Sequence, residues 1–471
     1  MNAIDSLKFF YPELWLLGGA FALIFFDFFI ANKKILGLLA LGVIGAAVYC
    51  AKVSAVSPAL FFGAFQLDTF THLFRYFALG IVAITLLISL AYRPLKQYEG
   101  EYYALFLLMA FALTLMAAVT HLMMIFLAIE FVSILSYLLV GYLKHDMRSK
   151  EAAIKYLLFG SIASGLMLYG MSLLFGASGS LDLAVIQKKL AHPEFLPLTI
   201  VASLLFLAGV GFKISMAPFH LWAPDVYEGA PTSVTAFLTV GPKAMGFAVL
   251  LRIMTMIDPW LGHQWNGLII VLSILTMTIG NITAITQNNI KRLLAYSSIA
   301  QAGYILMGIA VANQTGVTAV AVYLLAYIFT NLGAFTIVII ISNHFASDDL
   351  QSYEGLARRA PFLAASLTIF LLSLAGIPPL AGFIGKFLVF AAVIEAGYIT
   401  LAVAAALNSA VAAYYYFRII RVMYLTPAKE AAPIPNAIPL FAALLILLAG
   451  TILIGIVPAP FIEAVKNLIL I

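Results

Sequence analysis

Apolar runs of about 18 to 25 residues recur along the whole chain, separated by short polar connections. An α-helix needs roughly 20 such residues to cross a hydrocarbon core of about 30 Å, so each run predicts one membrane-spanning helix. The runs place helices near residues 12–30, 35–54, 72–92, 102–119, 121–143, 151–176 and 196–227. Others follow near 231–256, 263–284, 290–312, 316–343, 361–395, 398–424 and 436–460. The pattern predicts an all-α integral membrane protein with about fourteen spans.

The connections carry a second pattern. Lys33, Lys34, Arg93, Lys96, Lys144, Arg148, Lys150, Lys291, Arg292, Arg358, Arg359, Arg418, Arg421 and Lys429 fall at odd-numbered connections. The even-numbered ones hold little beyond Lys52, Lys188 and Lys189. By the positive-inside tendency the odd connections face the cytoplasm, and both termini are expected on the opposite side. Met1 to Glu13 lacks the basic, apolar and small-residue order of a cleaved signal, so the first helix is expected to remain.

Helices seven and twelve are longer than one span needs, and both are interrupted: Pro218 and Pro224 in one, Gly376, Pro378 and Pro379 in the other. Proline removes a backbone donor and frees carbonyls, which inside a membrane must be satisfied by protein or by water in a cavity. Both therefore read as broken helices beside a hydrated interior. They lie five helices apart, and an odd offset turns a second five-helix unit upside down, the inverted-repeat plan of transporters.

Composition narrows the function. Hydrophobic residues make up 64% and charged residues 10% of the 471, against roughly a quarter charged in soluble domains. The net charge of +5 is dispersed through short loops and forms no stripe for nucleic acid. Cys50 is the one cysteine, so no disulfide forms within the chain and no cysteine cluster holds zinc or iron-sulfur. Gly382 to Phe387, GFIGKF, superficially matches a phosphate loop, but Phe387 stands where Ser or Thr is required. No dinucleotide fingerprint, HExxH or CxxC occurs, so the chain is expected to bind no cofactor and to perform no redox chemistry alone.

Glu130, Lys213, Lys243 and Lys386 fall well inside predicted helices five, seven, eight and twelve. Burying one such charge costs about 2.5–3.5 kcal/mol, so the set costs on the order of 10 kcal/mol before any pairing. A polar axis at mid-membrane offsets that cost and suits proton transfer. Glu130 and Lys213 form the natural pair, since opposite charges about 7 Å apart attract by roughly 2 kcal/mol at an effective dielectric near 20. Bland alternatives stay open: a lone lysine can snorkel, Lys213 could cap the break at Pro218, and Glu130 could bond a neighbouring helix. Lys155 is i+4 from Glu151 and reads equally as a solvated ion pair or an intramembrane base. His220 could relay protons or be a satisfied histidine beside the kink. His121 and Asp27 read as interfacial, and Tyr414, Tyr415, Tyr416 and Phe417 as an interfacial anchor.

The segments LAIEFVSILSYLLVGY from Leu127, EAAIKYLLFGSIASGLMLYG from Glu151 and GVGFKISMAPFHLWAPDVYEGAPT from Gly209 resemble the antiporter-like membrane subunits of bacterial NADH-quinone oxidoreductase, respiratory complex I, of the subunit N type. NIKRLLAYSSIAQAGY, opening at Asn289, and SLAGIPPLAGFIGKF from Ser373 extend the likeness over nearly the whole chain. The resemblance implies fourteen helices with inverted units at helices four to eight (102–256) and nine to thirteen (263–424). Helices one to three (1–96) precede them and helix fourteen (436–471) follows. It implies proton translocation through Glu130, Lys213, Lys243 and Lys386, with Lys155 supporting the helix-five acid. It also implies partner subunits that hold FMN and iron-sulfur clusters and use NADH and quinone. A multisubunit sodium/proton antiporter shares these features and stands as the alternative, as does a scaffold that only seals the complex.

Overall fold

The computed structural model describes residues 3–54, 56–95, 99–190, 196–311, 313–427, 434 and 437–469, with the backbone alone for 3, 57, 58, 99, 196 and 255–264. Lys96 and Lys429, counted above among the loop cations, lie outside the described residues. Helix occupies every segment in which apolar runs predict it. Among the described residues, twelve helical segments are long and apolar enough to cross a membrane, so this is an all-α, multi-span membrane protein. Tyr11–Asp27, at 17 residues, and the 15-residue halves Pro361–Ala375 and Ala381–Glu395 fall short of that length.

Short polar side chains set where helices begin. Asn32, Asp68, Asp146 and Asn313 each accept a backbone N–H from the first turn that follows, satisfying donors the helix leaves free. Segments Thr232–Met254, Ile290–Val311 and Gln314–Phe345 are almost wholly buried and form the centre, whereas Lys33–Val53, Met147–Ser178 and Ile399–Leu425 lie at the periphery. Three features differ from the expected pattern. The eighth and ninth predicted helices share one helical stretch, Gly241–Ile285, although their apolar segments Thr232–Met254 and Trp265–Ile285 stay distinct. The last predicted helix ends at Ile456, and after Pro458, which has no N–H to continue it, a separate helix runs Ala459–Ile469. A short antiparallel hairpin, Ser57–Leu60 with Phe65–Leu67, joins the second and third helices and had no clear signal in the sequence.

The two interruptions share one geometry. Leu196–Ile214 ends at Ser215, a left-handed residue (φ 57°), and Pro361–Ala375 ends at Gly376 (φ 89°). Ser215 N–H bonds Phe212 O at 3.1 Å and Met216 N–H bonds Gly211 O at 2.8 Å. Gly376 N–H bonds Ser373 O at 2.9 Å and Ile377 N–H bonds Leu372 O at 3.0 Å. Both are the paired closure of a Schellman end. In each, a proline on a cis bond, Pro218 or Pro379, stands three positions past the left-handed residue. Pro378 supplies the preceding residue of the second cis pair. Pro224 does not break anything: it opens the short helix Ala223–Gly229, where a missing N–H costs no bond.

Candidate functional site

The three lysines expected inside the membrane are all buried, with relative exposures of 1% for Lys213, 2% for Lys243 and 5% for Lys386. None has a carboxylate within ion-pair distance among the described residues; each is held by neutral oxygens instead. Lys243 Nζ donates to Ser298 Oγ at 2.8 Å and to Ser298 O at 3.1 Å, with the Tyr227 ring 5.7 Å away. Lys386 Nζ donates to Ala375 O and to Ser409 Oγ, both at 2.9 Å, and lies 4.5 Å from the Tyr304 ring centre. Ala375 is the last residue before the second break, so Lys386 reaches back to a carbonyl that the break frees. The two roles of that lysine, cap and candidate carrier, thus coincide in one contact.

Lys213 Nζ donates to Ser133 Oγ at 3.0 Å. Ser133 is one turn beyond Glu130 on helix Leu122–Val140, so the expected pair faces across two helices without direct contact. Half-buried Glu130 instead accepts a short hydrogen bond from Ser164 Oγ, on helix Met147–Ser178. The carbonyl next to Lys213 is also engaged: Trp222 Nε1 donates to Phe212 O at 3.1 Å.

Helix Ile290–Val311 lies between the two buried lysines of helices eight and twelve. Its Ser298 holds Lys243, its Gln301 donates to Leu374 O at 2.9 Å beside the second break, and its Tyr304 lies under Lys386. These residues are three apart, about 4.5 Å of rise per step on one face. Gln301 Oε1 accepts from Tyr323 at 2.5 Å, and Tyr416 bonds Ser297 at 2.5 Å. Asn281 joins Tyr304 at 3.1 Å to Tyr415 at 3.0 Å and to Asn408 at 3.2 Å. None of Ser298, Gln301, Tyr304, Asn281 or Asn408 was a candidate from sequence. The available signal was the polar spacing of SSIAQAGY within an apolar span.

Tyr415 and Tyr416 are fully buried in this network, whereas Tyr414 and Phe417 are exposed. Four successive helical residues cover the whole circumference at 100° each, so they do not form a single interfacial anchor. His220 is buried, with Nδ1 unpartnered among the described residues. Asp27 pairs with Lys33 at 2.7 Å near a helix end, as an interfacial residue does.

Lys155 lies in a surface cluster. It pairs with Glu151 at 2.8 Å and Asp225 at 3.0 Å, while Arg292 pairs with Asp225 at 2.7 Å and Glu228 at 2.8 Å. Ser164, not Lys155, bonds Glu130. Burial of Asp225 pushes its carboxyl up, but hydrogen bonds from Lys155 and Arg292 prevail and hold it below its ordinary value.

The buried charges also extend beyond the expected four. Arg75 and Glu13, at 0% and 1% exposure, form a two-pronged pair with both bonds at 2.9 Å. Arg252 spans both oxygens of Asp68 at 3.0 Å. Burial raises the Asp68 carboxyl, yet the Arg252 charge and the Thr71 hydrogen bonds bring it below its ordinary value. Among the described residues no group of His, Cys, Asp and Glu is placed to hold a metal ion.

The profile of the NADH:quinone oxidoreductase/Mrp antiporter transmembrane family matches residues 119–412. The NADH-quinone oxidoreductase subunit N 2 of Chloroherpeton thalassium is 43% identical, covering 90% of this chain and 86% of its own. Its Sorangium cellulosum counterpart is 42% identical over 99% and 98%. A chain of respiratory complex I from Thermus thermophilus superposes with a TM-score of 0.82 at 32% identity, covering 96% of this chain and 99% of that one. The chain therefore belongs to the NADH:quinone oxidoreductase/Mrp antiporter family of membrane subunits.

Proposed function

We propose that this chain translocates protons as the subunit N-type membrane component of an NADH-quinone oxidoreductase in a bacterial inner membrane. The observation that carries the reading is the set of three buried lysines, each bonded to serine hydroxyls or freed carbonyls at or near a helix break or the central helices. A buried lysine bonded only to neutral oxygens is costly within a membrane, and intramembrane charges of this kind mark proton pathways. In this reading Glu130, Lys213, Lys243 and Lys386 carry the proton. Lys155 and His220 support them, and Pro218, Gly376, Pro378 and Pro379 shape the interruptions, while Pro224 opens the short helix that follows the first. The matching closures at Ser215 and Gly376 support two inverted five-helix units, 102–256 and 263–424, within fourteen spans, with 1–96 and 436–471 flanking them.

Energy for translocation would come from NADH oxidation and quinone reduction on partner subunits holding FMN and iron-sulfur clusters, with other membrane subunits and lipid around this chain. The full-length likeness to subunit N proteins favours this over a sodium/proton antiporter complex. Replacing Glu130 with Gln in the assembled complex tests the reading in reconstituted vesicles. Fewer protons should cross per electron, and an unchanged ratio in a well-assembled variant removes Glu130 from the route. Gentle solubilisation that returns no flavin or iron-sulfur partner would favour the antiporter.

A further inference from the structure

Between the first break and the eighth span the chain forms one short helix, Ala223–Gly229, and cations from two separate helices hold it. Asp225 is the centre of this clamp. Its Oδ2 accepts from Lys155, on Met147–Ser178, at 3.0 Å, and its Oδ1 accepts from Arg292, on Ile290–Val311, at 2.7 Å. Arg292 also holds Glu228 at 2.8 Å, and neighbouring Lys291 donates to Ala230 O at 2.7 Å while facing Asp348 at 3.6 Å. The start of one helix therefore grips both ends of the segment. That helix carries Ser298, the partner of Lys243.

A packed route runs inward from the clamp. Tyr156, next to Lys155, stacks on Trp222 with ring centres 4.2 Å apart and planes at 12°. The Trp222 indole N–H holds Phe212 O, the carbonyl preceding Lys213. Tyr156 and Trp222 are buried, so this part of the route resists deformation. The outer ion pairs, with Asp225 at 36% and Arg292 at 30% side-chain exposure, are screened and contribute little to stability. Their geometry matters more than their strength, because one carboxylate uses a different oxygen for each helix.

We propose that Asp225 is a positioning residue, joining the half-helix after the first break to Met147–Ser178 through Lys155 and to Ile290–Val311 through Arg292. It thereby fixes where Lys213 stands relative to Lys243. This rests on the proton-translocating reading above. The test uses the complete complex in vesicles, with protons moved per electron measured at equal content of assembled complex, for Asp225→Asn, Asp225→Glu and Lys213→Ala. Asp225→Asn should lower the ratio at least about twofold, and Asp225→Glu, which keeps the charge, should restore most of it. A role in stability alone would reduce the amount of assembled complex and leave the ratio intact. A full ratio in Asp225→Asn beside a lowered one in Lys213→Ala overturns the positioning role and leaves the translocation reading standing. A full ratio in Lys213→Ala counts against Lys213 as a carrier instead. If Asp225→Asn fails to assemble, Arg292→Gln, which removes the positive charge that bridges Asp225 and Glu228, is measured the same way. There a lowered ratio supports the clamp and an unchanged one overturns it.

Discussion

Removing the Arg75 guanidinium should loosen the first helix more than any surface substitution could. Arg75 and Glu13 are essentially without solvent contact, and two parallel hydrogen bonds of 2.9 Å join them across helices one and three. Arg75→Leu leaves the Glu13 carboxylate buried and uncompensated, a change that costs about 3–5 kcal/mol, or roughly two to four powers of ten in the local equilibrium. The double variant Glu13→Leu/Arg75→Leu removes both desolvation penalties and should recover most of the stability of the native chain. Thermal unfolding in mild detergent, run as a double-mutant cycle, measures this directly. Two outcomes would refute the reasoning: Arg75→Leu costing less than about 1 kcal/mol, or the two single losses simply adding in the double variant.

Other consequences are equally direct. Lys386→Ala should lower proton translocation while leaving much of the electron transfer to a short-chain quinone; an assembled variant with its full proton-to-electron ratio would leave Lys386 only a structural role, bonded to Ala375 O and Ser409 Oγ. With Cys50 replaced by Ser, a cysteine at exposed His145 should react with an impermeant thiol reagent only from the cytoplasmic side, and labelling from the periplasm would reverse the proposed orientation. Asp68 lies below its ordinary carboxyl value of 3.8 in the folded chain, so its contribution is present above that value and disappears as pH falls through the lower folded one. Asp68→Asn should therefore reduce the melting temperature at neutral pH and matter progressively less in acid. A constant difference between the two proteins down to about pH 2 would contradict the pairing with Arg252.

The parts of the site legible in the sequence are those that are costly in a membrane. A lysine within an apolar run needs a reason, which is why Lys213, Lys243 and Lys386 stand out unaided. Prolines inside runs too long for one span mark the breaks for a similar reason. The groups that hold those lysines are inexpensive and common: Ser133, Ser298 and Ser409 can satisfy their hydroxyls on their own helix, so nothing in the sequence separates them from other serines. Arg75 and Glu13 escaped notice because each falls within two turns of a helix start, where snorkelling is an adequate explanation until the partner is seen. Lys155 was undecidable for a different reason. Its second carboxylate, Asp225, is seventy residues away and meets it only after the chain has broken and turned at Ser215.

Counting seven residues from the proline of each break reaches Asp225 in one case and Lys386 in the other. If the half-helices after the breaks swing alike, each within its own unit, inverted units would carry one of them inward and the other outward. A negative charge moving inward and a positive charge moving outward displace current in the same direction, so the two contributions would add instead of cancelling. One charge crossing the whole membrane works against about 2.3 kcal/mol per 100 mV. A swing of about 3 Å, a tenth of the hydrocarbon thickness, would thus exchange roughly 0.2 kcal/mol per charge with the field. That is too little to drive a cycle, but in units inverted as proposed it would give both breaks the same sign of response to membrane voltage.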